Sequence, residues 1–269
     1  AHPANLANME KLVSFGNYIF PAQEGFLASG LEGKGRMMEP DDIVVSLEEN
    51  LQAKAPLNGK TVLITAGPTH EAIDPVRFIG DHSSGKMGYA LAEEAAILGA
   101  NVILISGPTA LSAAHNNITL VPVVSAADMH AAVFNHYASV DIAIAAAAVA
   151  DFKPITSANQ KIKKQSGPPE IHLTSTVDIL AQMGKEKQQQ FLVGFALETE
   201  NELENAKGKC LRKNLDAIVL NSLNDKDAGF GGSHNKITYI RKDDTFVDFD
   251  LKPKSAVSKD IFTQILNAL

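Results

Sequence analysis

From Gly59 onward, short apolar runs bounded by turn residues alternate with segments of helical period, and this alternation constrains the fold more than any other feature. Thr61–Thr65 (TVLIT) and Val102–Ile105 (VILI) have no polar face, as strands buried on both sides do. Between them Met87, Leu91, Ala95 and Leu98 recur at helical spacing, Glu93 and Glu94 are expected to face water, and Gly99 supplies the stop. The rhythm continues with strands predicted at Ile118–Val123, Asp141–Ala146, Phe191–Leu197 and Ala217–Asn221. Helices are predicted at Ala126–Tyr137 behind a Ser125 cap, near Val177–Met183 and at Glu202–Arg212. Ile237–Arg241 and Thr245–Leu251 flank Lys242-Asp243-Asp244, which suits a hairpin, and Ser255–Leu266 reads as a closing helix. The expected fold is α/β: a three-layer, mostly parallel Rossmann-like sheet flanked by helices, with right-handed crossovers and a late β-hairpin.

Residues 1–58 read differently, with scattered Gly and Pro and one predicted helix at Asp41–Gln52, too little apolar material for a core. The expected organisation is therefore a small piece and linker, 1–58, before a large domain, 59–269. A formal charge of −7 excludes the broad basic footprint of a nucleic-acid binder, so anions must be held locally. Cys210 is the one cysteine, which excludes an internal disulfide and a cysteine metal cluster and points to a reducing cytoplasm. The longest apolar run, Ile142–Ala150, is far short of the ~20 residues of a membrane span. The first residues also lack the basic-then-apolar pattern of a signal peptide. No membrane partner is expected.

In an open α/β sheet the ligand crevice lies beyond the carboxyl ends of the strands. After the first strand, Ala66 to Gly88 delays the helix and ends in Ser83-Ser84-Gly85. Small residues there leave backbone N–H groups free at a helix start, which suits either a phosphate or a simple cap. Arg77 adds a planar cation, suited to a carboxylate, a phosphate or a surface ion pair. After the strand at Asp141, the run Ala145–Ala148, Val149, Ala150 and Asp151 lets a flat ring approach the backbone, with Asp151 placed for a sugar hydroxyl or a metal. Lys161-Ile162-Lys163-Lys164, near Gly167, Pro168 and Pro169, reads as a basic loop that can act as a lid or be a solvated charge run. Gly194-Phe195 ends a strand, and Lys209 and Lys213 lie four apart on one helical face.

These segments together resemble the phosphopantothenoylcysteine synthetase family, the C-terminal domain of a bacterial bifunctional coenzyme A biosynthesis flavoprotein. The resemblance is carried by Ile64-Thr-Ala-Gly-Pro-Thr69, Ile73-Asp-Pro-Val-Arg77-Phe78-Ile79, Ser83-Ser-Gly-Lys-Met-Gly88, Ala147-Ala-Val-Ala-Asp151, Lys161-Ile-Lys-Lys164 and Arg212-Lys-Asn-Leu-Asp216, and it covers Gly59 to the end. Gly25–Gly30 (GFLASG) and Gly35–Pro40 (GRMMEP) resemble the end of the partner decarboxylase domain. Many relatives have cysteine where Ser29 stands, and most of the flavin domain has no counterpart here, so neither FMN binding nor decarboxylation is expected.

The resemblance implies CTP-dependent ligation of 4'-phosphopantothenate and L-cysteine through an acyl cytidylate, with Mg²⁺ on the triphosphate, in a homodimer. It implies that Gly67, Ser83, Ser84, Gly85, Ala145, Ala147, Ala148 and Asp151 serve the nucleotide. It adds the Val177-Asp178-Ile179-Leu180 turn, Phe195, Lys209 and Lys213 to that site, with Lys161 closing over it. Arg77, Lys161 and position 81 are the expected catalytic positions. Asp81 departs from the family, which carries asparagine there, and a carboxylate cannot donate the hydrogen bond an amide gives a developing oxyanion. Slow turnover is expected. An NAD(P)-dependent reductase fits less well, because GxGxxG and a Tyr-x-x-x-Lys pair are missing. A non-catalytic nucleotide-sensing module is the third reading.

Overall fold

The computed structural model describes residues 2–26, 30–163, 170–198, 200–222 and 232–269. Two compact units divide at 55/56. In the first, α1 (Pro3–Ser14) and α2 (Pro40–Ala53) flank an antiparallel hairpin of β1 (Gln23–Phe26) and β2 (Glu32–Arg36). Each helix opens on proline, whose fixed φ suits a first turn. Neither helix buries a residue, and among the described residues this unit shows no buried core. The α1 helix and the hairpin were not evident from the sequence, and Ser29 lies outside the described residues.

In chain order the second unit begins β3 (Thr61–Ala66), β4 (His70–Ala72), β5 (Phe78–Gly80), α3 (Lys86–Ile97), β6 (Asn101–Ser106), β7 (Ile118–Pro122) and α4 (Ala126–His136). It continues with β8 (Ile142–Ala145), β9 (Phe152–Pro154), β10 (Leu173–Ser175), α5 (Ile179–Glu186), β11 (Phe191–Glu198), α6 (Glu202–Arg212) and β12 (Ala217–Ser222). The hairpin of β13 (His234–Arg241) and β14 (Phe246–Pro253) and helix α7 (Lys254–Leu266) complete it. The main sheet runs β14-β13-β12-β11-β8-β3-β6-β7, parallel from β12 through β7, with the late hairpin antiparallel at one edge. The short pairs β4-β5 and β9-β10 stand apart from it.

Alternation along the strands divides the core into two layers. Val62, Ile64 and Ala66 of β3 join α3 and α7 on one face, including Leu91, Ile261 and Phe262. Leu63 points the other way, toward Met129 and Val133 of α4, Met183 of α5 and Cys210 of α6. Helices therefore cover both faces of a mostly parallel sheet, as the alternation of elements predicts. Ser125 caps α4 through a complete capping box with Asp128.

One expectation on the α3 face is corrected. Glu94 does not face water; it is 9% exposed, because α7 packs over α3. Burial raises its carboxyl pKa, opposed by the positive charge of Lys259 on α7. Helical spacing within α3 could not reveal a second helix more than 150 residues later in the chain.

Candidate active site

The order of the parallel strands reverses between β3 and β8, because β3 is followed outward by β6 and β7 while β8 is followed by β11 and β12. At such a switch point the chain leaves in opposite directions and opens a crevice. Here the strand ends are laced together. Thr69 N–H donates to Ala148 O at 3.1 Å, and Ala148 N–H donates to Gly67 O at 2.9 Å. The hydroxyls of Thr65 and Thr69 accept from Ala147 and Ala150 N–H at 3.2 and 3.0 Å. Alanines after β8 permit this approach. Gly67 belongs to the same turn at φ +74°, where a Cβ would lie 2.9 Å from Thr109 Cγ2 and 3.0 Å from Gly107 O. It shapes the crevice floor and lines neither cleft described below.

One cleft of about 370 Å³ opens over the ends of β8 and β11. Ala145, Ala147 and Asp151 form one wall and Phe195 another. Val177, Asp178, Ile179 and Leu180 bring in the start of α5, while Lys209 of α6 and Lys213, its C-cap, complete the lining. Asp178 is the N-cap of α5, accepting from Ala181 N–H at 2.9 Å, and its other oxygen lies 2.7 Å from Lys213 Nζ. Burial alone would raise the Asp178 pKa, but Lys213 and the Ala181 N–H hold it below its ordinary value. Lys209 donates to Phe195 O at 3.0 Å, and burial, followed by the charge of Lys213, lowers its pKa. A Cβ on Gly194 would come within 2.7 Å of Leu215 Cδ1 and 2.9 Å of Leu180 Cδ2, so a larger residue there displaces the ends of those two side chains.

A second cleft of about 380 Å³ adjoins the first and shares Ala147, Asp151, Phe195 and Lys209 with it. Asp81, Ser83, Ser84, Gly85 and Ala148 line it. Gly85 is the N-cap of α3 at φ +75° and provides no side-chain cap, so the first-turn N–H groups keep the anion-binding character expected of a helix start. Partial burial, then the negative charge of Asp151, raises the Asp81 pKa, with His82 opposing. Asp81 thus stands within electrostatic reach of Asp151, which lines both clefts.

Arg77 and Lys161 are not brought into either lining. Arg77 instead pairs with Asp74, whose side chain is fully buried: Nε donates to Oδ2 at 3.0 Å, and Nη2 contacts the same oxygen. Asp74 also accepts from the backbone N–H groups of Val76, Arg77 and Ile162 at 2.8, 2.9 and 3.1 Å. Arg77 Nη2 donates in turn to Ile162 O at 2.9 Å. Ala158 N–H to Ile73 O, 2.9 Å, makes a further link. The described part of the basic loop is therefore fastened to the 73–77 turn; Lys164, Gly167, Pro168 and Pro169 lie outside the described residues. The Arg77 guanidinium holds the Asp74 carboxyl well below the usual carboxylate range against the opposing effect of burial.

Sequence reasoning missed Thr65, Met129 and Thr176 in the first cleft and Lys86, Asn221, Asn235 and Lys254 in the second. Lys86 and Lys254 each begin a helix, where acidic residues are favoured; the reversal is readable in the sequence at Lys86, whereas the predicted closing helix begins one residue after Lys254.

A family model described as the DNA/pantothenate metabolism flavoprotein C-terminal domain matches residues 57–269. The chain belongs to this family. It is 47% identical over 266 residues to the coenzyme A biosynthesis bifunctional protein CoaBC of Bacillus subtilis, covering 98% of this chain and 66% of that protein. It is 51% identical over 270 residues to a cysteine/cysteine sulfinic acid decarboxylase of an unknown prokaryotic organism, covering 98% and 75%. The crystal structure of the C-terminal domain of a CoaBC protein superposes with a TM-score of 0.68 at 44% identity, over 80% of this chain and 98% of that one. The family's Rossmann-like sheet is the fold described above. Among the described residues no helix is long and apolar enough to cross a membrane.

Proposed function

We propose that this chain is a ligase of coenzyme A biosynthesis that joins 4'-phosphopantothenate to L-cysteine at the expense of CTP. The observation that carries the reading is the pair of adjoining clefts at the switch point, sharing Asp151, Phe195 and Lys209. The likeness to CoaBC proteins supports it. The first cleft, with apolar walls and two lysines, receives the cytidine and its α-phosphate. The second, at the start of α3, receives the rest of the triphosphate beside the acyl substrate.

A carboxylate oxygen of phosphopantothenate attacks the α-phosphorus, and the bond to pyrophosphate breaks. The cysteine amine then attacks the acyl carbonyl, loses a proton, and the carbonyl–oxygen bond to CMP breaks. Bringing two anions together requires positive groups fixed in advance, and Lys209, Lys213 and the first turn of α3 meet that need. Among the described residues no group of three His, Cys, Asp or Glu gathers to hold a metal. Mg²⁺ bound with the triphosphate would offset its charge. Asp81 offers the acyl oxygen no donor, so the second step is slow.

The deciding experiment measures pyrophosphate and CMP release from CTP, Mg²⁺ and 4'-phosphopantothenate, with and without cysteine. Cysteine-independent pyrophosphate release near one per site, followed by slow cysteine-dependent CMP release, is expected. CTP binding with no pyrophosphate release, in both this chain and its Asp81→Asn variant, would favour a sensing module instead.

Two further points belong to this reading. Residues 1–58 are the end of a partner flavin domain and bind no FMN, and the protein is a homodimer to which the late hairpin contributes. Edge strand β14 exposes Phe246, Val247 and Leu251, in keeping with a covered edge. Visible absorbance and light scattering of the purified chain test the two points.

A further inference from the structure

The loop that follows β6 supports the crevice from outside. Gly107 N–H donates to Ala66 O at 2.9 Å, and a Cβ on Gly107 would lie 1.7 Å from Pro68 O, so this loop rests directly on the backbone that leaves β3. On the other side, a Cβ on Gly85, the N-cap of α3, would lie 3.4 Å from both Cα and N of Gly67. Three segments from separate parts of the chain therefore meet backbone to backbone.

One side chain fills the corner between them. Thr109 Cγ2 is the nearest atom to the space that a Cβ would take on Gly67 and on Gly85, at 2.9 and 2.7 Å. Its methyl is thus set against both turns at once. The hydroxyl is less committed, donating to Tyr89 Oη at 3.4 Å and accepting from Leu111 N–H at 3.3 Å, both near the far limit of hydrogen bonding. Thr109 lines neither cleft, but the two turns it touches do lead there. The Gly67 turn runs on to Thr69, whose N–H and hydroxyl are tied to Ala148 and Ala150, and the Gly85 turn carries Ser83 and Ser84 into the second cleft.

Resting on the ligase reading for the identity of the nucleotide, we propose that Thr109 is a positioning residue, whose Cγ2 methyl holds the Ser83–Gly85 turn at its working distance from the crevice floor. Close-packed interiors answer a deleted methyl with a void or a backbone shift. Gly67 and Gly85 have no side chains with which to refill the space, so the shift falls on the turn itself. A triphosphate received at that turn feels the displacement. A base and α-phosphate received in the first cleft do not, because Thr109 touches none of the walls there.

Thr109→Ser deletes the methyl and keeps the hydroxyl, and Thr109→Val does the reverse. Amide hydrogen exchange at Tyr89, whose N–H donates to Gly85 O at 3.1 Å, reads the brace without any ligand. Titration calorimetry of the full chain with CTP and with CMP reads its consequence. Tyr89 is expected to exchange faster in Thr109→Ser, which binds CTP roughly 3–10-fold more weakly and CMP as wild type does. Thr109→Val matches wild type in all three measurements. Ile105→Val, in the buried part of β6, lowers the melting temperature by a similar few degrees and leaves CTP binding unaltered. Unaltered Tyr89 exchange in Thr109→Ser overturns the brace, and faster exchange with unaltered CTP binding overturns the positioning role. Equal weakening of CMP, or weakened CTP binding in Ile105→Val, shows general damage and refutes the local role. A loss confined to Thr109→Val assigns the effect to the hydroxyl and overturns the methyl. Faster exchange in Thr109→Ser, with a wild type that binds no CTP, would leave the brace standing and remove the ligase reading.

Discussion

An ionised carboxylate at position 81 accepts hydrogen bonds and donates none, and the nearby charge of Asp151 makes this corner of the cleft more negative. Replacing it with an amide restores a donor and removes a charge. Asp81→Asn is therefore expected to speed cysteine-dependent CMP release by about 10²–10³, the usual value of one oxyanion donor, and an unchanged rate would sink the argument. The same substitution has a pH signature. The raised pKa of Asp81 means that the folded state holds this proton more tightly than the unfolded state, so Asp81 costs stability as pH rises through its folded value. In thermal melts Asp81→Asn should be the more stable protein at pH 7, and the gap should narrow as pH falls through the ordinary carboxylate range, below which both states are protonated.

Between elements, the Asp74–Arg77 pair fastens the 158–162 segment to the turn between β4 and β5. Asp74→Asn keeps the shape but weakens this clamp. The expected result is faster proteolysis around 158–163 and a raised KM for CTP with a smaller change in kcat; equal proteolysis would show that the clamp does not hold the loop. The low pKa of Asp74 gives the pair a direction with pH. Its contribution is present above the ordinary carboxylate range and is lost as pH falls through the folded value. The α3–β3 contact is equally local. A Cβ on Gly88 would lie 2.5 Å from Ala66 Cβ and 3.2 Å from Thr65 O, so Gly88→Ala must push the start of α3 off the sheet. The Ser83–Gly85 turn moves with it, and CTP binding is expected to weaken at least 10-fold in calorimetry while the far-ultraviolet circular dichroism stays helical and stranded.

Among the described residues, the buried apolar side chains run from Leu57 to Ile265, and neither α1 nor α2 contributes one. Residues 56–269 expressed alone are expected to melt within about 2 °C of the full chain, since domain stability follows the buried core. A large drop in calorimetric melting temperature would show that residues 1–55 support the core.

The alternation of strand and helix, and with it a parallel sheet covered on both faces, is legible along the chain, because strand and helix periods are local properties. The sequence also singles out the segments that line the clefts, since they follow strand ends and carry small residues where backbones must approach. Which of those residues meet depends on how the elements pack. Arg77 reads as a cation for a ligand or for a surface ion pair until Asp74 and Ile162 claim it, and Glu94 as a solvated charge until α7 covers it. Each of these outcomes depends on partners distant in sequence or on a side chain's direction within a turn, and no local period encodes either.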